Sequence, residues 1–247
     1  MREIRIYHPG EYTIGDIINL QESSSHHIAS VLRMQVGQKF TVFAGDGIEY
    51  EAEIECLKKN RVSACILIMK SIKIESEHAI HLAQALCKGD KMEWIIQKSV
   101  ELGVAAITPI LTDHVAYSVN QMRLQKKQQQ WQAIAIAACE QCGRNTIPMI
   151  HAPVCFRVFL HRIEHAAMEV VLLDPRAEKN LTAYLQMPST KKCTIACIGP
   201  EGGFSAEEIT QAYTQQIICV KMGARILRTE TAAIAAITLL QAYRGDL

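Results

Sequence analysis

Short β-prone runs recur through the first part of the chain, at Arg5-Ile6-Tyr7, Lys39 to Phe43, Tyr50 to Glu55 and Val62 to Leu67, and Tyr50 to Glu55 alternates apolar with charged positions. A period of two marks a strand with one wet face. Gly45-Asp46-Gly47 lies between two of these runs and is expected to turn a hairpin, because Gly and Asp tolerate positive φ. One stretch breaks the alternation. His26 to Met34 sets Ile28, Val31 and Leu32 at helical spacing, with Ser23, Ser24 or Ser25 available as a cap and Gly37 beyond its end. The expected first domain is a compact barrel with one short helix.

From Ser76 onward, strand-like and helix-like segments alternate. His78 to Leu86 is a strand; Lys91 to Leu102 is a helix burying Met92, Ile95, Ile96 and Ser99, closed by Gly103; Val104 to Leu111 is a strand; Arg123 to Cys142 is a long helix stopped by Gly143. Strands at Glu169 to Leu173, Thr194 to Ile198 and Ile217 to Met222 follow, each expected to lead into a helix. Such alternation predicts an α/β domain with a mostly parallel sheet, since each parallel crossover needs an intervening segment. The polar stretch Ser71 to Glu77 places the boundary, giving domains of residues 1–72 and 73–247.

Composition alters this picture little. Apolar runs stop short of the roughly 20 residues a membrane helix requires, and Met1 to Arg5 alternates charge with apolar residues, unlike a signal peptide. A cytoplasmic protein that meets no membrane is expected. Cys139-Glu140-Gln141-Cys142 has motif spacing, but no second pair matches it, so two helix-face cysteines are expected rather than a metal or redox site. The formal net charge of +1 gives no support to nucleic-acid binding, although it leaves room for a local basic stripe.

Two strand-to-helix junctions carry candidate chemistry. Thr194 to Ile198 enters Gly199-Pro200-Glu201-Gly202-Gly203-Phe204, and Ser205-Ala206-Glu207-Glu208 then makes a capping box. Glycines let backbone approach a ligand closely, and the carboxyl end of a strand is where open α/β sheets bind ligands. The loop is neither a Walker A nor a GxGxxG sequence, which favours a cofactor without phosphates; a glycine-rich turn with no ligand is the plainer alternative. At the second junction, Arg225, Arg228 and Glu230 crowd a short loop before an almost purely apolar helix from Ala232 to Leu240. Charges there are functional, or form an Arg–Glu pair that fixes the loop.

Together, Ile198 to Ser205 and Met222-Gly223-Ala224-Arg225-Ile226-Leu227-Arg228-Thr229-Glu230-Thr231-Ala232 closely resemble the signatures of the ribosomal RNA small subunit methyltransferase E family, SPOUT-class enzymes that methylate N3 of a 16S ribosomal RNA uridine. The resemblance extends to Lys98 to Gly103, Thr108-Pro109, Glu140 to Asn145, and His26 to Met34 with Gly37, so it spans most of the chain in order. It implies an N-terminal PUA-like β-barrel, a C-terminal α/β domain with a deep trefoil knot, a homodimer, and S-adenosylmethionine as cofactor. Carried over by motif, Gly199, Pro200, Gly202 and Gly203 form one wall of the cofactor site, and Met222, Gly223, Leu227, Thr229, Thr231 and Ala232 the other. Asp113-His114-Val115 stands where relatives commonly carry Glu-Arg-Ser, so an arginine facing RNA or cofactor is missing there.

Uridine N3 holds a proton at neutral pH and needs help to lose it. Arg228 is the candidate for stabilising the uracil anion, with Glu230 or Glu201 to accept the proton or orient Arg228. His26, His27, Arg33 and Arg144 are the candidate contacts to 16S ribosomal RNA, the histidines having a capping or packing role as the alternative. A SPOUT methyltransferase on another RNA such as transfer RNA, and a non-enzymatic RNA-binding or ribosome-assembly protein, remain alternative functions.

Overall fold

Among the described residues up to Glu75 the chain forms five strands and one α-helix: β1 Arg5–Tyr7, β2 Ile17–Asn19, α1 Glu22–His26, β3 Lys39–Phe43, β4 Ile48–Lys58 and β5 Arg61–Ser71. The computed structural model describes residues 4–58, 61–114, 121–163 and 167–247; Met1 to Glu3 and Val115, on which two expectations rest, lie outside the described residues. The sheet order is β1-β3-β4-β5-β2, with β1 parallel to β3 and the other pairs antiparallel. Alternation turns one side chain in two inward, so Ile6, Val42, Tyr50, Ala52, Ile54, Ala64 and Ile66 share a single buried core. Gly45 and Gly47 both take φ of 94°, as the turn between β3 and β4 demands.

The helix of this unit differs from its expectation. α1 begins four residues earlier, at Glu22, and continues into a π-helical turn over His27–Val31. Ser25 is no cap: its hydroxyl donates to the Leu20 carbonyl and accepts from the Val62 N–H, both at 3.2 Å. The wider π turn rotates the following residues away from the core. Ile28 is fully buried, but Val31 is 60% exposed and Leu32 faces solvent.

The compact unit that contains these strands is discontinuous, comprising Met1–Glu75 and Cys139–Ile147. The Glu140 carboxylate accepts the Tyr7 N–H at 2.9 Å, and the fully buried Asn145 donates from Nδ2 to the carbonyls of Gly47 and Ile72. Arg144 is buried and grips the Glu75 carboxylate through Nε and a terminal nitrogen. Arg144 was expected to contact RNA; in the structure its buried guanidinium is committed to the partly exposed Glu75 carboxylate, a charge-assisted pair that holds the chain in place.

The second unit comprises Ser76–Ala138 and Pro148–Leu247. Its elements are β6 Ala79–Ala85, α2 Lys91–Glu101, β7 Ala106–Leu111, α3 Gln121–Cys142 (whose last turn falls in the first unit), β8 Met149–Ile150, β9 Val154–Cys155, α4 Phe156–Arg162, β10 Glu169–Leu173, α5 Leu181–Leu185, β11 Cys193–Ile198, α6 Ala206–Thr214, β12 Ile218–Val220 and α7 Thr229–Arg244. The strands run parallel in the order β12-β10-β11-β6-β7-β8, with β9 also on β7. Helices cover such a sheet on both faces, so its central strands are mostly apolar: Leu82, Ala83, Val171, Leu172, Ala196 and Cys197 are all fully buried. α2 buries Met92, Ile95, Ile96 and Ser99, as its spacing predicts, and packs against α7. Each buried isoleucine there contributes about 1.5–3 kcal/mol.

Candidate active site

Three parallel strands end side by side, β10 at Leu173, β11 at Ile198 and β12 at Val220, and the loops that leave them enclose a cavity of about 350 Å³. The junction after β11 contributes Gly199, Pro200, Glu201 and Gly203; the junction after β12 contributes Met222, Gly223, Arg225, Leu227, Arg228 and Thr229, with Ala232 from α7. Leu173 and Asp174 close one side, and Lys91 at the start of α2 also reaches the cavity. The two sequence junctions therefore meet. Of the residues expected to hold a cofactor, Gly202 and Thr231 are not among those lining the cavity: a Cβ on Gly202 would come within 3.3 Å of the His114 ring, and Thr231 is exposed on α7.

Buried hydrogen bonds lock the junctions together. Thr229 Oγ1 donates to the Gly199 carbonyl at 2.7 Å and accepts from Gln84 Nε2 at 3.0 Å. Ser205 caps α6 as the sequence indicates, its hydroxyl accepting from the Glu208 N–H while Glu208 accepts from the Ser205 N–H. The segment that departs from the family pattern is a clasp on this same loop. Ser205 Oγ donates to Asp113 Oδ2 at 2.6 Å, the Asp113 N–H donates to Glu208, and His114 Nδ1 donates to the Gly203 carbonyl at 2.9 Å.

Of the two readings of these charges, a functional role or an Arg–Glu pair, the arrangement does not show the pair. Glu230 lies 3.5 Å from Lys91 Nζ, and Glu201 lies 2.9 Å from the same ammonium. Among the described residues Arg228 makes no ion pair; it stands exposed at the N-cap of α7 and on the cavity wall. Burial pushes the Glu201 carboxyl up, but the Lys91 hydrogen bond, backbone N–H donors and the Lys91 charge together hold it below the usual carboxylate range. Burial, and then the Glu201 charge, raise the Cys87 thiol to about 12, so this neighbour of the cluster is no nucleophile at neutral pH.

Lys91, Asp174 and Gln84 are site residues that sequence reasoning missed. The signal for the first two was available, since each follows a strand end, as the glycine loop does. Gln84 gave none: it is a fully buried amide inside an apolar strand. In the first unit, His26 and His27 are exposed at the junction of α1 and the π turn, and Arg33 is exposed at a φ of 53°.

Lys91→Met is expected to lower stability in a pH-dependent way. A carboxyl whose folded pKa is depressed contributes stability that is present above its unfolded value and is lost as pH falls through the folded one. The deficit in melting temperature should therefore be widest at neutral pH and close below about pH 4, where carboxylates protonate. Thermal melts across that range check it; a deficit that does not vary with pH would show the pair to be inert.

An RNA methyltransferase domain family matches residues 74–241 and an RNA methyltransferase PUA domain family matches residues 20–67. Ribosomal RNA small subunit methyltransferase E of Buchnera aphidicola subsp. Schizaphis graminum is 37% identical over 243 residues, 98% of this chain and 97% of its own length. That of Bacillus subtilis is 31% identical, covering 90% of each chain. A Legionella pneumophila protein solved with bound cofactor SAM superposes over 100% of both chains with a TM-score of 0.93 and 43% identity. Ribosomal RNA small subunit methyltransferase E from Neisseria gonorrhoeae, solved bound to S-adenosyl methionine, gives 0.90 and 33%, again over 100% of both chains.

Proposed function

This chain belongs to the RNA methyltransferase family of ribosomal RNA small subunit methyltransferase E, and from that premise we propose that it methylates N3 of a uridine in 16S ribosomal RNA, using S-adenosylmethionine. The observation that carries the reading is the convergence of both signature loops on one cavity in the catalytic unit. Its volume lies in the range of about 300–1,000 Å³ usual for small-molecule sites. Its walls of Leu173, Ile198, Val220 and Leu227 suit an adenosine, and its glycine backbone suits a ligand held by main-chain groups.

S-adenosylmethionine, when bound, supplies a methyl group on a sulfonium sulfur that leaves with the bonding pair. The chain's own part is alignment and control of charge. Gly199, Gly203, Gly223 and the apolar walls fix the donor, with Pro200, Met222, Thr229 and Ala232 completing its surroundings. Arg228, free of any acidic partner among the described residues, faces the uracil oxygens as N3 gives up its proton. Glu201 is the carboxylate that lines the cavity, but Lys91 keeps it anionic and weakly basic, so N3 ionisation rests chiefly on Arg228, with solvent as the final proton acceptor. Glu230 acts through Lys91. N3 lies on the pairing edge, so the target base is unpaired or flipped out.

The first unit is the PUA-like barrel that meets RNA, with His26, His27 and Arg33 as its contacts. The loops bound together at Thr229 and Gly199 belong to the trefoil knot, and the chain works as a cytoplasmic homodimer. Ile226, 84% exposed, is the kind of apolar side chain a second copy would cover. No helix among the described residues is long and apolar enough to cross a membrane.

Nucleoside mass spectrometry of 16S ribosomal RNA, from cells with and without the protein, tests the reading. N3-methyluridine should appear only with the protein. Its presence in both, or a change confined to transfer RNA, would overturn it.

A further inference from the structure

A chain with 26 basic and 25 acidic residues cannot attract a polyanion by total charge, so affinity for RNA has to come from where its cations stand. Around the cavity, apart from Arg228 on its wall, the cations fall into two groups. Lys91 is held by Glu201 and Glu230, and Arg176 by Asp174 at 3.0 Å. Lys179, Lys221 and Arg225, by contrast, make no ion pair among the described residues. Lys221 and Arg225 line the cavity, and the Lys179 carbonyl accepts the Lys221 N–H at 2.8 Å, which sets the exposed Lys179 beside Lys221. The exposed acid in that stretch is Glu178.

We propose that Lys179, Lys221 and Arg225 form a phosphate-binding rim on the catalytic unit, which takes the backbone of single-stranded RNA beside the cavity. This rests on the RNA methyltransferase reading and adds a second RNA contact to that of the first unit. Three unpaired cations exceed what one cofactor carboxylate could use, and Lys179 is outside the cavity lining altogether. Several solvent-accessible ammonium and guanidinium groups beside one cavity suit a repeating phosphodiester, because each phosphate contact releases condensed counterions. The target base has to be unpaired to present N3, so the strand beside the cavity is single-stranded where the rim meets it.

The test is the salt dependence of binding to a short uridine-rich single-stranded RNA, followed by fluorescence anisotropy with S-adenosylmethionine saturating. Lys179→Gln and Lys221→Gln are each expected to make the slope of log K against log salt shallower by about 0.7, and together to weaken binding several-fold at about 0.15 M salt. Lys221→Arg should restore the slope at its site. Lys126→Gln, on the exposed side of α3, removes the same charge outside the rim and should leave the slope unchanged. The rim is overturned if the rim variants keep the wild-type slope, if Lys126→Gln shifts it equally, or if S-adenosylmethionine affinity falls while the slope holds, which would assign the cations to the cofactor carboxylate. Failure of the rim and failure of the functional reading are separable. Unmethylated 16S RNA with shifted slopes would leave the rim standing, whereas normal methylation with fixed slopes would remove the rim alone.

Discussion

Arg228→Ala is expected to lower the single-turnover methylation rate by on the order of 100-fold or more while S-adenosylmethionine affinity stays near that of the wild type. The guanidinium lies on the cavity wall at the N-cap of α7, and no carboxylate among the described residues holds it. A donor that acts on charge developing at the uracil oxygens contributes in the transition state and little in the ground state, so its loss falls on kcat. Raising the pH should partly rescue the variant, because hydroxide then ionises N3 unaided. A purely architectural arginine would behave differently: removing it would loosen the loop and weaken cofactor binding, with little rescue by pH. Glu230 is already paired with Lys91, which removes the loop-fixing partner that an architectural role requires. Single-turnover rates over a pH series, with cofactor affinity measured alongside, separate the two, and normal chemistry with poor cofactor affinity would refute the catalytic assignment.

Gly203→Val should weaken S-adenosylmethionine binding by at least about tenfold, equivalent to about 1.4 kcal/mol. Gly203 sits at a φ of 70°, where an L side chain costs roughly 1–2 kcal/mol and a β-branched one is a genuine outlier. A Cβ there would meet nothing within 4 Å, so the added side chain extends into open space at a residue that lines the cavity. Strain and obstruction thus act together. Gly203→Ala separates them, since alanine carries most of the backbone strain with little of the volume. Equal losses in both variants would assign the effect to strain, and a much larger loss with valine would assign it to occupancy. Wild-type affinity in a folded Gly203→Val protein, by calorimetry, would remove this loop from the cofactor wall.

The sequence by itself determined whatever depends on neighbours along the chain. Runs of β-prone residues placed β3 and the core of β5, period-two alternation placed the core of β4, and helical spacing picked out Met92, Ile95, Ile96 and Ser99 as the buried face of α2. The Ser205 and Glu208 capping box was readable because its two partners are three residues apart. The family, too, was legible in two short loops. Where a local signal was weak, the reading went astray. The two-residue strands β8 and β9 carry no periodicity, and a π turn cannot be told from an α turn when both begin with the same serine-rich approach.

Only the tertiary structure decided which charges pair and which stay free. Lys91 is 110 residues from Glu201, Glu75 is 69 from Arg144, and Asp113 is 92 from Ser205. No spacing rule reaches across such distances. Folding brings these groups within hydrogen-bond range because the parallel order β12-β10-β11-β6-β7 gathers strand ends that are remote in sequence, and because a return of the chain at Cys139–Ile147 completes the first unit. Electrostatic energy depends on separation and burial rather than on order along the chain. Sequence could therefore name Arg228, Glu230 and Glu201 as candidates, but only the fold gave Lys91 to both carboxylates and left Arg228 without an acidic partner among the described residues.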